Sequence, residues 1–570
     1  MHAIHTNKKV HIIEILVLLV VLMAFFRHFN SHSFPSIYND EFGYWASAAY
    51  LNGYDWSKVF SITPYYSVGY GIIIALIWKI IPDITIVYRF ILFLNYVWLI
   101  GSFFLIKKTI KKLYPDEPFY IYTLVSLCSI CIPSNFIQVN YTWPEIFLFL
   151  IFCAITYTMV CVIQHSTLLN CSLLALLLGI NYIIHQRTVA LCIAGTCVML
   201  LLASSRQISV RNFIVYCLIL IICLQSAFYL KDYIVNGVWN NSSTIQGNSF
   251  SGQTEKLQFI LSVKGIIHLL TSAAAKVFYI IILTGGLIYF SIFKFIENIL
   301  KKPFNRKENF YSIFCLLCFA GTLGISAIGM IIPVTDTQLM YGRYTENILA
   351  PYIAVSVIEL LKAENKFKNI ISGIWITFIC AIASIILKKI SGSYYITIIN
   401  SVGIINYITD YSVNIGKACI AVTFMSIFFA FFIKLRKNKK MYSIIFSILL
   451  ISFWAKTGED SYQLWEETGW EAAYESSNII ADVILETESA QNPVKIYAIS
   501  QKGFNYPEEF SGNGIQFLLP DKEISYITYE TAEQIIKLEN CLIILPVEMG
   551  FSNDFRVLMR TKEFYLLAKK

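Results

Sequence analysis

Charge is scarce in this chain. Asp, Glu, Lys and Arg supply 14% of its 570 residues, and histidine occurs 8 times. Soluble domains carry about a quarter of their residues as charges, so a water-soluble protein is excluded for most of the length. Proline is thin as well, with 14 residues, and long stretches are free to continue as helix. No small-residue cleavage site interrupts the apolar run from about Val10 to Phe26 that follows Lys8 and Lys9. That argues against a cleaved signal peptide and for a retained anchor with a cytoplasmic N-terminus. The 14 cysteines lack the company that chemistry needs: 13 lie in apolar segments, and Cys541 stands alone in the C-terminal region, where no disulfide can form. Cys128/Cys131 and Cys315/Cys318 have CxxC spacing without a second Cys pair or a His, so they read as helix packing rather than a zinc site.

What is abundant is apolar surface. Hydrophobic residues make up 57% of the chain and aromatics 15%, with a mean hydropathy of +0.62. This is a polytopic α-helical membrane protein. A spanning helix needs roughly 20 apolar residues, and candidate spans lie near 10–28, 86–106, 119–139, 143–163, 168–185, 189–203, 212–230, 276–295, 310–332, 348–361, 370–388, 417–433 and 441–455, about thirteen in all. A further stretch, Tyr66 to Ile81, is short, flanked by Pro64 and Pro82 and interrupted by Lys79. If it does not cross, the basic connectors "KKTIKK", Arg206/Arg211, "KKPFNRK", "KAENKFK" and "KLRKNKK" all fall on the cytoplasmic side, as the positive-inside rule requires. Residues 30–85 are therefore expected to form one long extracytoplasmic loop with interfacial helices. Arg27 and Lys388/Lys389 run against this topology and are read as snorkelling side chains.

The net charge of +8 conceals a division. From Lys456 onward there are 10 Lys and Arg against 19 Asp and Glu, a net of −9, so the first 455 residues carry +17. The membrane part (1–455) is basic, and an acidic, extracytoplasmic α/β domain (456–570) follows it. Strand character is expected at 494–500, 523–529, 541–547 and 564–570, and helical periodicity at 461–487 and 531–539. No glycine-rich phosphate loop follows those strands, which argues against a nucleotide site there. Nucleic acid is no natural partner for this charge distribution.

Ionisable groups near the bilayer are costly, so their positions carry information. Four clusters share one face on this topology: Asp40/Glu41; "NYTWPEIF" with Glu145; "NYIIHQRTVA" with His185 and Arg187; and "PVTDTQLMYGRYTENILAP" with Asp336, Arg343, Tyr344 and Glu346. Each has an ordinary reading. Carboxylates favour helix N-termini, and arginines anchor lipid headgroups.

Taken together, the clusters resemble the signature of the GT-C membrane glycosyltransferases: an acidic pair after the first span in a long loop, a second acidic position after the third, and the "HQR" and "YGRYTENILAP" segments of bacterial members. The likeness covers roughly residues 10–455. It implies transfer of a sugar from a polyprenyl-phosphate donor to a cell-envelope glycan, lipid or protein, with inversion, at the outer face of a bacterial plasma membrane. In that scheme Asp40 or Glu41 is the base, Arg343, Arg187 and His185 receive the departing phosphate, and Tyr344 and Glu346 line the site. Glu145 either tunes the base or shares a divalent cation with Asp40; no other cofactor is implied. The C-terminal region and the loop 231–275 are expected to cover the site. The rival readings are an O-antigen-type polymerase or ligase, which would place its cations in a late loop without an early acidic pair, a transporter or lipid flippase, which would carry repeats and mid-span charges, and a noncatalytic scaffold.

Overall fold

The structure is a computed structural model that describes residues 2–29, 34, 35, 38–60, 67–239, 250–301, 306–331, 340–362, 367–391, 398–409, 412–434, 439–466, 470–490, 495–499, 511–538, 540–551 and 553–570. Asp336, most of the "NNSSTIQGNSFSGQ" loop and the centres of three basic connectors (301–307, 362–368, 434–440) lie outside the described residues.

The first half of the chain is a succession of helices: α1 (His2–Phe26), α2 (Tyr38–Leu51), α3 (Ser57–Phe60), α4 (Val68–Ile80), α5 (Ile84–Leu113), α6 (Phe119–Ile130), α7 (Pro133–Gln138), α8 (Glu145–Gln164), α9 (Leu168–Ile184), α10 (Val189–Ser204) and α11 (Val210–Val238). Eight helices among the described residues are long and apolar enough to cross a bilayer, and five shorter apolar helices accompany them. The chain is an integral membrane protein.

Three expected spans take another form. The stretch 119–139 breaks into α6 and α7 because Pro133, which has no N–H to donate, opens a new helix instead of continuing the old one. The stretch 276–295 divides into helices Val263–Leu283 and Ile288–Lys301. The turn between them places Gly285 and Gly286 at φ 58° and 81°, a conformation that side chains with a Cβ resist. The stretch 348–361 becomes the 13-residue helix Ala350–Lys362, buried along nearly its whole length.

Several charges inside the bundle are paired. Glu14 of α1 accepts from Lys107 of α5 and, at 3.0 Å, from Thr123 of α6. Arg27, awkward for the topology, meets Glu459 at 3.2 Å beside His28, which binds the same carboxylate at 2.8 Å. All 14 cysteines are free.

The last membrane helix, Lys439–Glu466, is followed in the chain by helix Trp470–Ala490 and an α/β unit. After a two-residue ladder of β1 (Ile408–Thr409) and β2 (Ser412–Val413), the main sheet comprises β3 (Lys495–Ile499), β4 (Ile524–Ile527), β5 (Cys541–Pro546), β6 (Phe555–Arg560) and β7 (Phe564–Lys569), in the order β4-β3-β5-β7-β6. β3 runs parallel to β4 and β5, while β7 is antiparallel to β5 and β6. Four of these strands coincide with the expected ones. β6 and helix Ser511–Leu518 are additions.

Candidate active site

The acidic pair opens helix α2, where carboxylates complement the positive end of the helix dipole. Of the apolar face that its spacing predicts, Phe42, Trp45, Ala46 and Ala49 are buried and Tyr50 is half-buried. The two acids face different ways. Glu41 is fully enclosed, and its Oε1 accepts from the Thr142 backbone N–H at 2.6 Å, from Thr142 Oγ1 at 2.7 Å and from the Tyr88 hydroxyl at 3.3 Å. Asp40 retains 20% exposure and pairs with Arg343.

Glu41 thereby helps hold an irregular, buried segment between α7 and α8. Backbone groups away from water must find partners, and here polar side chains supply them. Asn95 donates to the carbonyls of Val139 and Tyr141 at 3.1 and 2.9 Å, and the Tyr96 hydroxyl donates to Asn140 Oδ1 at 2.9 Å. The segment delivers Trp143 and then Glu145, the first residue of α8, to the site.

Arg343 is the hub. Only 2% of its side chain is exposed, its Nη1 meets Asp40, its Nε meets Glu145, and the guanidinium lies 4.0 Å from the centre of the Trp143 ring. Glu145 uses its other oxygen, Oε2, to accept from Arg187 Nη2 at 2.6 Å. Two carboxylates and two guanidiniums therefore alternate in one buried chain of pairs, and their formal charges cancel. Removing any one member leaves a buried charge uncompensated.

Arg187 has donors to spare. Its Nε and Nη1 are buried with no hydrogen-bond partner among the described residues, while its guanidinium stacks at 4.4 Å over Tyr344. It lines a narrow cleft with Thr188, Thr322, Tyr344 and Asn347, whose Oδ1 is likewise buried and without a partner among the described residues. Leu191, Ile325 and Ile348 make the apolar wall. The tight "HQR" turn aims Arg187: the His185 N–H closes α9 on the Asn181 carbonyl at 3.1 Å, and His185 Nδ1 accepts from the Arg187 N–H at 3.4 Å. Burial, reinforced by the Arg187 charge, pushes His185 well below its usual pKa.

Most of the residues singled out by sequence meet here: Asp40, Glu145, His185, Arg187, Arg343 and Tyr344. Glu346 turns away to accept from the Tyr279 hydroxyl and, at 3.3 Å, from Gln138 Nε2. Gly342 precedes Arg343 because the Tyr279 ring occupies the place where a Cβ would stand, 2.1 Å away. Sequence reasoning gave no role to Thr142, Trp143, Tyr88, Thr322 or Asn347. Thr142, Trp143 and Asn347 stood inside highlighted motifs without a role of their own, and nothing in the order of residues marks Tyr88 or Thr322.

The metal expectation meets an obstacle. Among the described residues no group of three His, Cys, Asp or Glu is placed to hold a metal ion. Asp40 and Glu145 do not converge on an open position, because the Arg343 guanidinium already bridges them. A divalent cation does not fit this donor set as it stands.

No protein-family model and no curated protein matches the chain. Two solved structures share its fold over nearly the full length. ArnT from Cupriavidus metallidurans bound to undecaprenyl phosphate aligns with a TM-score of 0.54 at 10% identity, covering 97% of both chains. The apo state of the same protein aligns with a TM-score of 0.52 at 10% identity, covering 99% of this chain and 98% of that one. The GT-C fold implied by the sequence motifs is the fold observed.

Proposed function

We propose that this chain is a membrane glycosyltransferase that moves a sugar from a polyprenyl-phosphate carrier to a hydroxyl acceptor at the extracytoplasmic face of a bacterial plasma membrane. The observation that carries the reading is Arg187, with two buried donor nitrogens that have no partner among the described residues, at the edge of a cleft beside the Asp40–Arg343–Glu145 pairs. Leaving a buried donor unpaired costs about 1–3 kcal/mol, more when charged. Such a site favours an anion with several acceptor oxygens, which a phosphate supplies. The solved ArnT complex with undecaprenyl phosphate, on the same fold, supports a lipid phosphate as that anion.

Each residue then has a task. Asp40, the one acidic side chain of this cluster that reaches solvent, accepts the proton of the acceptor hydroxyl as its oxygen attacks the anomeric carbon. The bond from that carbon to the carrier phosphate breaks, and the electron pair leaves with the phosphate. Arg187, with Arg343 released from Asp40, stabilises the charge that develops there. Tyr344 and Trp143 hold the two guanidiniums in their stacking planes. Direct displacement inverts the anomeric centre. The acceptor is a cell-envelope glycan, lipid or protein. On this reading the N-terminus is cytoplasmic and the C-terminal domain extracytoplasmic, so a cysteine placed at Asp521 reacts with an impermeant reagent from outside and one at Lys111 does not.

The test is transfer by the purified protein in lipid nanodiscs. Radiolabelled polyprenyl-phosphate sugars and nucleotide sugars are offered in parallel with envelope acceptors. Label should leave only the lipid-linked donor, with release of polyprenyl phosphate. Transfer from a nucleotide sugar, or no turnover of any lipid-linked donor, would defeat the proposal.

A further inference from the structure

The C-terminal domain touches the helix that carries the acidic pair. Phe517, on helix Ser511–Leu518, is fully buried among residues of the membrane part. Its ring stands edge-on to Trp45 at 4.9 Å, with Tyr88 at 6.2 Å and Phe42 at 6.4 Å around it. Two contacts flank this wedge: the Trp56 indole N–H donates to the Pro520 carbonyl at 3.0 Å, and Lys58 pairs with Glu523. On its other edge Trp45 donates to Thr142 Oγ1 at 2.9 Å, and Thr142 Oγ1 is bonded to Glu41, the neighbour of Asp40. A continuous path of contacts therefore runs from the soluble domain to the acidic pair.

Asp40 lies in the first turn of α2, the part of a helix with fewest backbone hydrogen bonds. Its place depends on what grips the following turns. Besides the packing of α2 on α4, one grip is Thr142 on Glu41 and another is the aromatic wedge on Trp45. Building on the function proposed above, we infer that Phe517 is a positioning residue for sugar transfer: the C-terminal domain presses Trp45 into place and so holds Asp40 at its working distance from Arg343. The domain is in this way part of the catalytic apparatus.

The experiment compares wild type with Phe517→Ala and Phe517→Leu in the full-length protein in nanodiscs. It reads kcat and donor KM, together with hydrogen exchange of residues 40–51. Phe517→Ala should lower kcat per folded molecule by about tenfold or more, since small displacements of a reacting group are costly in rate, and leave donor KM unchanged. Exchange in α2 should quicken while α5 stays protected, and Phe517→Leu, which refills the space, should recover most of the rate. If Phe517→Ala does not fold, Trp56→Phe, which keeps the ring and loses the bond to Pro520, carries the same comparison. Unchanged exchange in α2, or a wild-type kcat per folded molecule, would overturn the inference and leave Phe517 as domain glue. If wild type transfers no sugar, the functional reading fails, and the exchange measurement still decides whether the domain holds α2.

Discussion

Arg343 and Glu145 are 198 positions apart in the chain, and their side chains meet in a buried ion pair that also takes in Asp40. This one arginine joins the acidic pair of the first loop to the acid that opens α8. Arg343→Lys keeps the charge but has one nitrogen where the guanidinium offers a fork, so it satisfies one carboxylate and strains the other. Activity should fall by about tenfold to a hundredfold. Arg343→Ala leaves Asp40 and Glu145 facing each other without a cation and should also destabilise the protein by about 3–5 kcal/mol. Turnover and thermal melting in detergent check both, and an alanine variant with wild-type melting would show that the pair contributes nothing.

The adjacent acids separate by the same kind of measurement. Asp40→Asn preserves size and should reduce turnover by about 10²–10⁴, the usual contribution of a general base, and, because it leaves Arg343 one carboxylate short, it should also lower the melting temperature, by less than Arg343→Ala does. Glu41→Ala strips the partner from the Thr142 N–H and hydroxyl and should cost about 1–3 kcal/mol of stability. If Glu41→Ala melted like wild type and Asp40→Asn turned over normally, both assignments would be lost.

The gathering of this site was legible because charge is expensive near a bilayer: Asp40, Glu145, Arg187 and Arg343 stand out against apolar neighbours wherever they occur. Their pairing was not. Whether Asp40 or Glu41 faces the cleft depends on how α2 is rotated, and Trp45, Thr142 and Phe517 set that rotation from three distant places in the sequence. Hydropathy likewise found the apolar stretches but passed over Pro133 and Gly285/Gly286, single residues that end helices. In the C-terminal region "SGNGIQFL" is assigned no element from sequence, and it forms helix Ser511–Leu518. Gly514 sits in a helix because a Cβ there would stand 2.7 Å from the Phe34 ring, a packing demand that only the folded chain shows.

Arg187 provides the direct test of phosphate recognition. Arg187→Lys keeps a charge for Glu145 and removes the two donor nitrogens, Nε and Nη1, that have no partner among the described residues. Charge-assisted hydrogen bonds contribute about 1.5–3 kcal/mol, which corresponds to about a tenfold to hundredfold weaker affinity. Binding of sugar-free polyprenyl phosphate, measured by calorimetry, should weaken by that factor. Equal affinity in the variant would mean that the phosphate is held elsewhere.

Glu346 sets a pH dependence of stability rather than of chemistry. Burial, helped by the charge of Glu145 and opposed by bonds from Tyr279 and Gln138, pushes its carboxyl from the usual range up to about 7. A group whose folded pKa exceeds its unfolded value binds more protons in the folded state, so stability falls as pH rises between the two. The contribution is intact below about pH 4.5 and is lost as pH passes through about 7, at roughly 1.4 kcal/mol per unit of pKa difference. Wild-type melting temperature should therefore drop from pH 5 to pH 8 by more than that of Glu346→Gln. The glutamine carries no charge to desolvate, and its amide oxygen still accepts from the Tyr279 hydroxyl. The difference between the two melting curves isolates this carboxyl from every other titrating group they share. Parallel curves across that range would show that Glu346 is already ionised in the folded protein at pH 5, with Tyr279 and Gln138 bearing its charge.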